Sequence, residues 1–235
     1  NKGYSSVSFN SSSDRIAIAG TKSIKNKYVI QLFDLSGKPI APFPAHDSQI
    51  SRVRFSPDGN EIVTASDDGT AKLWDNERKL KKVLKGHKAG IWDVSFSHKG
   101  NIIATASADK IVKLWSRDGQ LMRNLIGHSE QVNSVSFTPD DRIVATASDD
   151  RTIKFWSLKG HLITTLPGHE NAVNSITFHP QNNNLLASGS YDGTIILWNL
   201  EGITLDKLMQ RGCNWVRDYL EYNPTEPKFL CQNAK

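Results

Sequence analysis

A histidine, a serine, an aspartate and a tryptophan return together four times along this chain of 235 residues. The sets are His46, Ser66, Asp68, Trp74; His87, Ser107, Asp109, Trp115; His128, Ser148, Asp150, Trp156; and His169, Ser190, Asp192, Trp198. Serine, histidine and aspartate are the parts of a hydrolase site, where one base activates one hydroxyl beside one oxyanion pocket. Four equal copies do not fit that requirement, because catalysis needs a single pocket. A metal centre fits no better: a zinc site takes three or four protein ligands, and each copy offers one His and one Asp. The remaining reading is a structural network. With the Asp in a tight turn, its carboxylate accepts from the imidazole, which holds the Ser hydroxyl, which reaches the indole N–H. Leaving such groups buried and unpaired costs about 1–3 kcal/mol each, so a closed network is favoured. No catalytic residue, metal or cofactor is expected.

The elements that position these sets repeat with them. The histidines step by 41 residues, and Phe33, Trp74, Trp115, Trp156 and Trp198 step by 41, 41, 41 and 42. A fixed period of this length marks one supersecondary unit. Inside a unit, Val53-Arg54-Phe55 alternates, Ile62 to Ala65 is a short apolar run, and Thr70 to Trp74 alternates again, with Pro, Asp and Gly between. A fourth strand such as Leu162 to Leu166 precedes the next Gly-His. Four short antiparallel strands per unit, without helical periodicity, predict an all-β propeller. Five four-stranded blades are expected over about 1–44, 45–85, 86–126, 127–167 and 168–203.

Gly86-His87, Gly127-His128, Gly168-His169 and Leu73-Trp74-Asp75 carry a family resemblance: the chain resembles the WD-repeat (WD40) β-propellers from about residue 4 to 200. Blades of that family have a similar Asp-His-Ser-Trp network, and the resemblance implies a non-catalytic disc that binds other proteins. There are departures. Only the second unit closes on Trp-Asp, and it has Ala45-His46 for Gly-His. The first unit has no Gly-His, and its turn Thr21 to Tyr28 is about five residues longer. Seven blades are usual in the family, so further blades upstream are expected, with a closed five-blade ring as the alternative.

After Trp198 the pattern changes. Leu205, Leu208, Met209, Gly212, Trp215, Val216, Tyr219 and Leu220 fall on one face of a helix, so residues 204–235 are expected as a helical tail packed on the propeller. The segment Leu208 to Leu220 followed by Asn223-Pro224 resembles the endings of large cyanobacterial WD-repeat proteins. That resemblance implies a C-terminal piece of a longer bacterial protein, with an NTPase, kinase or other effector module upstream; the chain is then expected to be an interaction scaffold or sensor module, the alternative being a region that regulates an upstream signalling NTPase or kinase. No phosphate-binding loop occurs within the chain itself.

Composition narrows the partners. The formal charge of +5 is modest, and the densest basic run, Arg78 to Lys85, has no aromatic neighbours, so it reads as a charged edge strand rather than a nucleic-acid groove. No apolar run is long enough to span a membrane, and two cysteines, Cys213 and Cys231, favour a reducing, cytoplasmic setting. The expected partner is another protein. On one face the loop entering each first strand and the turn before each third strand come together, placing Ser51, Arg52, Asp67, Trp92, Asn133, Asp149, Asn174 and Tyr191 as the candidate binding surface. Trp92 stands where other units have Ser51, Asn133 and Asn174, and an indole there reads as an interface anchor.

Overall fold

The computed structural model describes residues 4–12, 14–24 and 26–201. The expected tail over 204–235 lies outside them. The described residues form nineteen strands in five antiparallel sheets, each a simple meander. The first sheet holds β1 (Tyr4–Phe9), β2 (Arg15–Ile24), β3 (Lys27–Asp34) and β4 (Pro39–His46). The second holds β5 (Ile50–Phe55), β6 (Glu61–Ser66), β7 (Thr70–Asp75) and β8 (Leu80–Lys85). The third holds β9 (Ile91–Phe96), β10 (Ile102–Ser107), β11 (Ile111–Ser116) and β12 (Leu121–Ile126). The fourth holds β13 (Val132–Phe137), β14 (Ile143–Ser148), β15 (Thr152–Ser157) and β16 (Leu162–Pro167). The fifth has three described strands, β17 (Val173–His179), β18 (Asn182–Ser190) and β19 (Ile195–Asn199).

Each blade grades from buried to wet along its strand order. The second strand, as in β6 and β10, is buried on both faces, which is why it reads as an unbroken run of small and β-branched residues. The fourth strand is exposed apart from one leucine, Leu84 in β8 and Leu125 in β12. The basic run of the second unit is thus an outer strand whose lysines face solvent. The long turn expected in the first unit is instead a lengthened hairpin, with Ser23 paired to Tyr28 and Ile24 to Lys27.

The core lies between blades rather than within them. Ala104, Ala106, Val112, Leu114 and Leu125 of the third sheet pack against Val132, Val135, Phe137, Val144 and Trp156 of the fourth. The same positions recur at the other three seams. Alanines on the second strand of one blade leave room for the bulky aromatics of the next, so the faces interdigitate. The first strands touch in sequence, β1 to β5, β5 to β9, β9 to β13 and β13 to β17. The two end faces carry the same types of residue with nothing described against them. Val7 and Phe9 of β1 are 53% and 57% exposed, and Ile195 and Leu197 of β19 are 78% and 70% exposed, whereas Val112 and Leu114, at the register of Ile195 and Leu197, are at most 1% exposed.

This contrast sets a paired expectation. Leu114→Ala should cost about 2–5 kcal/mol in urea unfolding, because it opens a cavity in a sealed seam. Leu197→Ala, at the matching register on the open face, should cost less than about 0.5 kcal/mol. Equal losses would contradict the exposure of Leu197.

Candidate functional site

The structure brings His, Asp and Trp of each set together, and it replaces the serine. His46 Nδ1 lies 2.8 Å from Asp68 Oδ2, and its Nε2 lies 2.7 Å from the hydroxyl of Thr64, which also accepts from Trp74 Nε1 at 3.0 Å. The third unit repeats this with His87, Asp109, Thr105 and Trp115, and the fourth with His128, Asp150, Thr146 and Trp156. In the fifth, Ser188 takes the threonine's place between His169 and Trp198, and Asp192 accepts from the ring at 2.8 Å. Ser66, Ser107, Ser148 and Ser190 stand two residues later, and their role is different. Each accepts the backbone N–H of the network aspartate at 3.1 Å and donates to a carbonyl of the loop entering the blade. They shape the turn that presents the carboxylate. Two hydroxyls spaced by two share one face of a strand, so spacing alone did not separate them.

The direction of each hydrogen bond follows from chemistry. The indole N–H can only donate, so it donates to the threonine oxygen. The threonine hydroxyl donates to the imidazole Nε2, which leaves Nδ1–H to donate to the carboxylate. The ring is therefore neutral, and burial pushes the His46 and His87 imidazoles down from their ordinary value against the pull of Asp68 and Asp109. Asp68 keeps its charge: burial drives its carboxyl up, but the His46 ring and the Thr70 hydroxyl and N–H more than offset this and hold it well below the carboxylate range. Asp150 is held down the same way by His128 and Thr152. Both oxygens are occupied, since Asp68 Oδ1 accepts from Thr70 N–H and hydroxyl while Oδ2 accepts from His46 and the N–H of Asp47. Both carboxylate oxygens, both ring nitrogens and the indole N–H of the quartet are thus engaged within it and its turn.

The quartet also joins blades. His46 is the last residue of β4 in the first sheet, while Thr64, Asp68 and Trp74 belong to the second sheet and its β6–β7 turn. His87, His128 and His169 likewise sit on the loops leaving β8, β12 and β16 and bind into the third, fourth and fifth sheets. A quartet is thus a bolt across a seam. The glycine of Gly-His serves the same closure: at Gly127 a Cβ would come within 3.0 Å of the Trp156 ring, and at Gly168 within 2.7 Å of Trp198.

The expected binding surface is mostly taken up by further stitches. The Ser51 hydroxyl donates to Ala65 and Ile91 carbonyls, reaching from the second sheet to the third. Arg52 pairs with buried Asp93 at 2.8 Å, and Asp93 also accepts from the Ser134 hydroxyl and Val135 N–H of the fourth sheet. Trp92 is half-buried with its ring N–H on Gln131 at 3.2 Å, so the indole spans a seam as Ser51 and Asn133 do. Asn133 bonds Asp149 and the Val173 carbonyl, and Gln131 takes the other Asp149 oxygen. Asn174 is half-buried. Asp67 and Tyr191 emerge into solvent, Tyr191 with 72% of its surface exposed.

Among the described residues no group of three or more His, Cys, Asp or Glu side chains is placed to hold a metal ion, and no helix is long and apolar enough to cross a membrane. A model of the WD domain, G-beta repeat, matches residues 37–75, 78–116, 119–157 and 160–199, more than half of the chain. Each match starts before an outer strand and ends on the third strand of the following sheet, so the repeat in sequence is staggered by one strand from the sheet in space. Target of rapamycin complex subunit LST8 of Saccharomyces cerevisiae is 38% identical over 88 residues, 35% of this chain and 28% of that protein. Guanine nucleotide-binding protein subunit beta of Zea mays is 32% identical over 72 residues, 30% and 18% of the two lengths. Ribosome assembly protein 4 of Saccharomyces cerevisiae is 52% identical over 40 residues, 17% and 8%. The chain spans less than a third of the length of these relatives.

Two outcomes follow from the bolt. Thr105→Val keeps the shape but strands the Trp115 N–H and His87 Nε2, and should cost about 1–3 kcal/mol in denaturant unfolding. Ser107→Ala, which spares the quartet, should cost less; the reverse order would restore the serine to the network. The melting temperature should also depend on pH. The folded His46 and His87 imidazoles and the Asp68 and Asp150 carboxylates bind protons less readily than the unfolded ones, so their contribution to stability is complete above the ordinary imidazole value of 6.5. It should decline as pH falls through that value and more steeply below the carboxylate value of 3.8. A melting temperature unchanged from neutral pH down to about pH 5 would contradict the neutral, desolvated rings.

Proposed function

The chain belongs to the WD domain, G-beta repeat family, and on that basis we propose that it is a non-enzymatic scaffold module that holds protein partners on one face of its blade array. One comparison among the repeats carries this reading. The turns before the third strands pair a constant residue with a variable one: Asp68, Asp109, Asp150 and Asp192 all lock a seam, while the preceding positions are Asp67, Ala108, Asp149 and Tyr191. A fixed bolt beside a variable side chain, exposed at Asp67 and Tyr191, lets the surface diversify without loosening the fold, the arrangement expected of a binding scaffold. Tyr191 is the residue most suited to anchor a partner, because an exposed tyrosine offers a large rigid surface with a polar tip.

Two relatives are by name subunits of larger assemblies, which supports a role in complex formation. The finer parts of the proposal are that the chain belongs to a larger bacterial protein with a signalling module upstream, and that it works in the cytoplasm. They rest on the likeness of the tail and on the scarcity of cysteine.

The test places a photo-crosslinking phenylalanine analogue at position 191 in the whole protein and identifies what it captures. A specific protein adduct is expected, suppressed by excess parent protein. Tyr191→Ala together with Asp67→Ala should then weaken binding of that protein by about tenfold or more. Affinity unchanged by both substitutions would remove this face from the proposal.

A further inference from the structure

Arg54 departs from its repeat. It stands in β5 where the other first strands carry hydroxyls, Ser8, Ser95, Ser136 and Thr177, each one residue before the aromatic Phe9, Phe96, Phe137 or Phe178. Its neighbour Arg52 has its counter-ion in Asp93. Arg54 has none among the described residues, and the nearby carboxylates are already engaged. Asp93 serves Arg52 and Ser134, Asp58 and Glu61 serve Arg117, and Asp141 accepts from the backbone and ring of His98. Burial and the charge of Arg52 both press on the Arg54 guanidinium, partly relieved by Asp93.

This half-buried cation lines a cavity of about 300 Å³ at the Ser-Pro-Asp-Gly end of the first strands, opposite the Tyr191 face. Its other walls combine the rings of Phe9, Phe55, Phe96 and Pro57 with a polar side of Asn10, His98 and four serines. A size at the lower end of ligand sites suits one or two amino-acid side chains. A guanidinium offers five donors in a planar fork that matches a carboxylate, and it keeps its charge under desolvation. The rings of Phe9, Phe55 and Phe96 beside such a fork favour an anion carried on an apolar stem over a fully hydrated one.

We propose that this cavity is a second protein-docking site, which receives an acidic, apolar segment of a partner with a Glu or Asp carboxylate on Arg54. The proposal rests on the reading of the chain as a protein-binding module, but it concerns the opposite face, so the two can fail separately.

The experiment measures fluorescence polarisation of a labelled acetyl-Phe-Glu-Leu-Glu-Phe amide with the whole protein, against the peptide with both glutamates changed to glutamine. Saturable binding of the Glu peptide is expected, weaker by about tenfold or more for the Gln peptide and for Arg54→Ser, which installs the residue of the sister blades. Tyr191→Ala should leave this binding unchanged, and Arg54→Ser should melt no lower than the parent. Absence of saturable binding, or binding that ignores Arg54→Ser, overturns the proposal. So does a marked drop in melting temperature for Arg54→Ser, which makes the side chain structural. Arg54-dependent binding of inorganic phosphate without binding of the peptide would assign a free oxyanion instead, and would also overturn it.

Discussion

The imidazole at the end of each outer strand is the constraint on which the array depends. A buried neutral histidine has one donor and one acceptor, and here both are committed: the donor to an aspartate in the turn of the next blade, the acceptor to a threonine or serine hydroxyl that in turn receives an indole N–H. Because the ring leaves one sheet and its partners lie in the following sheet, the chain cannot detach a blade without stranding four polar groups. Buried groups of that kind are costly to leave unpaired. This gives a stack of separate sheets, each of them a simple meander, a cooperative coupling that apolar packing alone would leave less specific.

The same staggering explains why the functional surfaces differ. Near the quartets, most side chains at the loop entries are consumed as stitches between blades, including Ser51, Arg52, Trp92 and Asn133. What emerges into solvent beside them is Asp67 and Tyr191, each just before a network aspartate. At the other end of the first strands, the turns are themselves cross-linked between blades, by Arg117 to Asp58 and Glu61 and by Asp141 to the His98 and Lys99 amides. With both rims fastened, the end faces are the places where apolar residues of seam type stand uncovered among the described residues.

Much of this was legible in the sequence because the period is so regular. A spacing of 41 residues locates the four histidines and the strands around them. The misassigned hydroxyl has a simple cause: Thr64 and Ser66 alternate onto the same face, and only Ser188 beside Ser190 hints that the earlier position is the essential one. Trp92 looked like an anchor because its counterparts are small and polar. Two of those counterparts, Ser51 and Asn133, reach across a seam, and the indole does the same with its N–H. Arg54 hid in plain alternation, since a polar residue between Val53 and Phe55 is what a strand pattern requires, and nothing local shows that its neighbours are already paired. The lengthened hairpin of the first unit was read as a loop because its residues lack strand alternation.

The central claim is that each quartet couples two blades rather than stabilising one. Hydrogen exchange of Thr105→Val against the parent protein tests this most directly. The account predicts lost amide protection in β9 to β11 of the third sheet and also in β8, the outer strand of the second sheet from which His87 departs. Loss confined to the third sheet, with β8 as protected as in the parent, would contradict it.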